Sequence, residues 1–168
     1  MHELDFKEGE VIATIQASPG RRILGIGSLW ILSLMVIYVG IVRPPAMGWQ
    51  VFLFVLGGGS IWIAEKMRRA TALTLELTPE VLRDSSGAVV ALIADIQSID
   101  RGMFAFKPSN GFLLRLSTSG ERAWRPGLWW RLGNRVGVGG MTPGHQAKFM
   151  AEILSAMIAE RSPGEQAQ

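Results

Sequence analysis

The chain has 168 residues, 48% of them apolar and 18% charged, a size that suits one domain and a composition that excludes a disordered or collagen-like polymer. Seventeen Lys and Arg against 14 acids give a net charge of +3, too small to indicate wholesale nucleic-acid binding. There is no cysteine, which excludes disulfides, thiolate nucleophiles, Fe–S clusters and Cys-based zinc sites together.

A cleavable signal peptide places an apolar core near the start of a chain, whereas residues 1–22 carry Glu3, Asp5, Lys7, Glu8, Glu10, Arg21 and Arg22, so this segment reads as a retained tail. From Ile23 to Ala64 the only charge is Arg43, and it separates uncharged runs of 20 and 21 residues. Each run is long enough to span a bilayer. Residues 23–64 therefore read as a two-helix transmembrane hairpin, with Arg43-Pro44-Pro45 stopping the first helix and turning the chain. Arg21 and Arg22 precede the hairpin and Lys66, Arg68 and Arg69 follow it. The positive-inside rule thus puts both termini in the cytoplasm, with Trp49, Trp62 and Tyr38 as interfacial anchors.

Gly57, Gly58, Gly59 and Ser60, with Ala64 beyond them, form a patch of small residues suited to helix packing, and Gly25, Gly27 and Ser28 offer an opposing surface. That patch serves either the hairpin itself or another protein. Neither span holds a charged residue, and the only side-chain amide is Gln50, so a transporter's ion path or substrate site is not expected.

After Arg69 the period falls to two, with Leu73, Leu75 and Leu77 on one face of a strand over residues 71–77. Further strands are expected at residues 81–83, 88–93, 95–100 and 112–117. Ser119-Gly120 reads as a turn, and Gly133-Asn134 as a two-residue hairpin loop between strands at 128–132 and 135–138. Thr142 as N-cap and Pro143 at the first helical position then open a helix whose apolar face carries Phe149, Met150, Ile153, Leu154, Met157 and Ile158. Residues 70–161 form the head, residues 162–168 read as a disordered tail, and Val11, Ala13 and Ile15 alternate as a further strand would.

The run Leu77-Thr78-Pro79-Glu80-Val81-Leu82, then Ser86-Gly87, then Ile96-Gln97-Ser98-Ile99, resembles the opening strands of the bacterial PH-like family of small membrane proteins of the YdbS type. Glu8-Gly9-Glu10-Val11-Ile12 and Ser18-Pro19 are similar to the segment that precedes the first span in such proteins. The resemblance implies two transmembrane helices followed by a PH-like antiparallel β-barrel or sandwich capped by a C-terminal helix, in the bacterial inner membrane. It implies no shared activity.

Between Arg101 and Arg135 seven basic residues face one acid, Glu121, with Phe104, Phe106, Phe112, Trp124, Trp129 and Trp130 interleaved. Lys107, Trp124, Arg125, Trp129, Trp130 and Arg131 are the candidates for docking membrane lipids or a protein partner, since basic and indole side chains suit an anionic headgroup layer. The competing assignment puts the aromatics in the core and the arginines in solvent. Gly137-Val138-Gly139-Gly140 lacks the third glycine and the second βαβ unit of a dinucleotide site. His2 and His145 are too few for a histidine metal site, and no Gly-x-Ser-x-Gly elbow occurs. The expectation is a non-catalytic protein with no cofactor, no metal, no nucleic acid and no evident small-molecule substrate. Its head would be an interaction or assembly module, or the chain a constitutive accessory subunit of a larger membrane complex.

Overall fold

The structure, a computed structural model, describes residues 9–102 and 108–161. In chain order it contains β1 (Ala13–Gln16), α1 (Pro19–Val42), α2 (Met47–Ala70), β2 (Thr74–Leu77), β3 (Val81–Asp84), β4 (Val89–Leu92), β5 (Ile96–Asp100), β6 (Phe112–Arg125), β7 (Trp129–Val138) and α3 (Gly144–Arg161). Both α1 and α2 are 24 residues long and apolar enough to cross a membrane.

The two long helices pack through one row of small residues each. Ser33, Val36 and Gly40 on α1 are buried, as are Gly57, Ser60 and Ala64 on α2, and both sets recur at i, i+3 and i+7, one face of a helix. The Ser33 hydroxyl donates to the Gly57 carbonyl at 2.8 Å, and the Ser60 hydroxyl donates to Leu56 O within its own helix. A Cβ on Gly57 would lie 2.6 Å from Ile37 Cγ1. Gly58 and Gly59 face open space instead, so the expected patch divides into an inward and an outward half. The surface opposite Gly57 is also deeper in α1 than expected: Gly27 has no neighbour, and Gly25 meets Met141 and Met67 near the head.

The head consists of two antiparallel sheets, ordered β1-β2-β3-β4 and β5-β6-β7, with α3 packed on β1, β5 and β6. Leu75, Leu77, Leu82, Val90, Ile96, Phe112, Leu114, Leu116, Leu128, Val136, Met150 and Leu154 fill the space between them. The sheets do not close into a barrel. The β4 and β7 edges approach through a side chain, with Arg131 Nη1 donating to Val90 O at 3.5 Å.

Strand β1 comes from the segment before α1, pairing Ala13 with Leu77 and Ile15 with Leu75. The helix pair is thus inserted between the first and second strands of one sheet, and Ile15, fully buried, belongs to the head's core. Three further bonds root the start of α1 in the head: Ser18 N–H to Met141 O at 2.7 Å, Arg21 Nη1 to Thr142 O at 3.2 Å, and Gln16 N–H to Gln146 Oε1 at 3.0 Å.

Two expected turns are absent. Strand β6 runs through Ser119-Gly120 and β7 through Gly133-Asn134, with Gly120 opposite Gly133. The register shifts there, with more residues on β6 from Arg115 to Gly120 than on β7 from Arg135 to Gly133, so it is β6 that bulges opposite the Gly-Asn pair, where Gly133 has φ +61°; the chain reverses instead at Pro126-Gly127-Leu128. Thr142 does not cap α3 in the expected way, because its buried hydroxyl donates to Asn110 O at 3.3 Å and the helix begins at Gly144, with Pro143 O accepting from Ala147 N–H. Phe149 is exposed, while Ala147, Met150, Ala151 and Leu154 form the buried stripe.

Candidate functional site

The β6–β7 ribbon brings its Trp- and Arg-rich end to the last two turns of α2. A Cβ on Gly127, in the ribbon's turn, would lie 2.9 Å from Thr71 Cγ2, one residue beyond α2, and the Trp124 and Trp62 ring centroids are 6.5 Å apart with planes tilted by 41°. Lys66 Nζ lies 4.6 Å from the Trp62 centroid and 5.5 Å from that of Trp124, so one ammonium is held against two indoles by their ring quadrupoles.

These side chains line a cleft of about 450 Å³ with Glu65, Arg69, Ala70, Leu73, Ser86 and Arg125. Its electrostatics follow from how its acids are engaged. Glu65 pairs with Arg68 and Arg69, each at 2.7 Å. Asp84, fully buried behind the cleft, accepts from Ser86 N–H, Ser86 Oγ–H and Ala88 N–H through Oδ1. Its Oδ2 has no hydrogen-bond partner and lies 3.8 Å from Arg125 Nε. Lys66 has no carboxylate partner among the described residues, so the charge presented by the cleft is cationic.

The residues expected to dock a lipid or partner do not form one face. Trp124 and Arg125 are exposed and line the cleft. Trp129 turns inward and is only 3% exposed, a member of the same core cluster as Leu128, Val136 and Val138. Trp130 is half-buried, its indole lying over Gly137, where a Cβ would come within 2.3 Å of Trp130 Cε2. Arg131 is also half-buried; its guanidinium crosses Gly120 to reach Val90 O, a sheet-to-sheet tie. Lys107, Phe104 and Phe106 lie outside the described residues.

Trp62, Lys66, Arg69 and Leu73 join the site from α2 and the segment after it, which the reading of the 101–135 run did not include. Their signal was in the sequence, since Trp62 and Lys66 stand one helical turn apart at the end of a long apolar helix. A second, more open hollow of about 380 Å³ is lined by Trp124, Trp130 and Leu132. Basic groups and amphipathic rings at a helix end can hold an anion and rest in an interfacial layer.

No family model matches the chain, and no curated protein or solved structure does.

Proposed function

We propose that this chain is a non-catalytic protein of the bacterial inner membrane, with both termini in the cytoplasm, whose PH-like head is an interaction or assembly module at the membrane surface. The observation that carries this reading is the insertion of the helix pair between β1 and β2. Strand pairing on one side and the direct α2–β2 connection on the other root the head in both helices, so its surface would have a set height and orientation relative to a bilayer.

The membrane part is supported by the exposure of the helices. Only 17% of the most apolar window of each is buried, with Ile23, Leu24, Ile31, Leu34, Tyr38, Ile41, Val51 and Val55 facing outward, whereas a core helix of a water-soluble protein buries such residues. Arg22 Nη2 donates to Arg68 O at 3.3 Å, so the basic ends of both helices lie together, as the positive-inside rule requires of a cytoplasmic side. The four-plus-three strand arrangement with a C-terminal helix supports the PH-like reading.

A second reading, an accessory subunit of a larger membrane complex, is favoured by Gly58 and Gly59. Both face outward on α2 with no neighbour within 4 Å, where another helix can approach closely. Mild-detergent or polymer-nanodisc extraction of a C-terminally tagged chain, followed by native gel and mass spectrometry, separates the two. A discrete complex of fixed stoichiometry establishes the subunit; a small species that recruits partners through its head establishes the module. A chain washed from membranes by alkaline carbonate overturns both.

A further inference from the structure

We infer that the cleft between α2 and the β6–β7 turn binds the phosphodiester headgroup of an anionic membrane phospholipid, an inference that rests on the membrane reading above.

Its height is the first argument. Lys66 is the twentieth residue of α2, so at 1.5 Å per residue it stands about 30 Å along the helix, one hydrocarbon thickness from the start. With α2 across a bilayer, the cleft opens at the phosphate layer, and Trp62, one turn below, sits where indoles anchor.

Its chemistry is the second. Lys66, Arg69 and Arg125 are the cations of the lining and Glu65 its only acid, already bound by two arginines. Asp84 is buried behind Arg125 and holds it through Nε; no other partner of that guanidinium is found among the described residues. The ammonium of Lys66 and the guanidinium of Arg125 therefore face one space with donors to give, the arrangement that recognises a phosphate. Leu73, Ala70 and the faces of Trp62 and Trp124 supply an apolar wall, which suits the glycerol backbone and the first methylenes of the acyl chains.

Selectivity follows from the same residues. Paired indoles are a cage for the quaternary ammonium of a choline lipid, but here Lys66 already occupies that position. A zwitterionic headgroup would bring a second cation against it, whereas an anionic headgroup brings none.

The test is native mass spectrometry of the full chain in mild detergent, titrated separately with phosphatidylglycerol, phosphatidylcholine and glycerol 3-phosphate. One phosphatidylglycerol should be retained at least tenfold more tightly than phosphatidylcholine. Lys66→Gln and Arg125→Gln should each weaken it about fivefold, Lys66→Arg should keep it, and Arg43→Gln, at the opposite end of α1, should leave it unchanged. Unaltered melting of the variants in detergent shows that they are folded. Equal retention of the two lipids, or equal loss in Arg43→Gln and Lys66→Gln, overturns the inference. Glycerol 3-phosphate binding as tightly as phosphatidylglycerol also overturns it, and assigns the cleft to a soluble phosphate. A chain that extracts with a protein partner but shows no lipid preference loses the cleft and keeps the module, whereas carbonate release from membranes removes the membrane reading itself.

Discussion

Trp62 on α2 and Trp124 on β6 meet with ring centroids 6.5 Å apart, 62 residues distant in sequence, and Lys66 is held against both. This contact fixes the basic end of the β6–β7 ribbon to the helix pair. Trp124→Ala should therefore loosen that end without unfolding the head, since an aromatic pair contributes about 1 kcal/mol beyond its buried area. Hydrogen exchange should rise at residues 122–131 and stay unchanged at the Ser33–Gly57 contact; a uniform rise over the chain would show that the pair is not a local clamp.

The helix interface predicts a contrast among adjacent glycines. Gly57→Leu drives a side chain into Ile37 and Val36, and overpacking of this kind costs about 1 to 3 kcal/mol. Gly58→Leu and Gly59→Leu point into open space and should leave the melting temperature of the isolated chain in detergent within a degree or two. If the chain is a subunit, those two variants should lose its partner from the extracted complex while Gly57 variants lose the fold.

Within β7, Gly137→Ala should displace the Trp130 indole, because the new methyl would sit 2.3 Å from Cε2. The expected signature is a red shift of tryptophan emission with a loss of about 1 to 3 kcal/mol. In the variant lacking Trp130 the same substitution should leave the emission unshifted, which checks that this ring is the one that moves.

Asp84 organises the β3–β4 turn by accepting from Ser86 and Ala88. Asp84→Ala leaves those donors unsatisfied and should cost about 1 to 3 kcal/mol. Asp84→Asn retains an acceptor at Oδ1 and should recover most of that loss. Denaturant unfolding of the two variants measures the difference; equal losses would assign the effect to the charge facing Arg125 instead.

Local pattern carried much of this architecture. Two runs of about 20 uncharged residues give two long helices whatever follows them, because burying or shielding that many apolar side chains outweighs local preference. The 3.6-residue period put Met150 and Leu154 in the core, and the period of two put Leu75 and Leu77 there. The alternation of Ala13 and Ile15 was visible too, but its partner was not, since pairing Ile15 with Leu75 spans the whole helix pair. Gly133-Asn134 carried the chemistry of a hairpin turn, yet only its pairing opposite Gly120, far from the true reversal at Gly127, decided that it stays inside β7, across from a bulge in β6. In the same way the basic, Trp-rich run announced a surface without saying which members share it. Packing between the sheets drew Trp129 inward and stretched Arg131 across to Val90, and the docking of the ribbon on α2 left Trp124 and Arg125 beside Lys66. Sequence patterns report which side of an element is apolar; which elements meet depends on long-range packing, and the cleft exists only where two of them do.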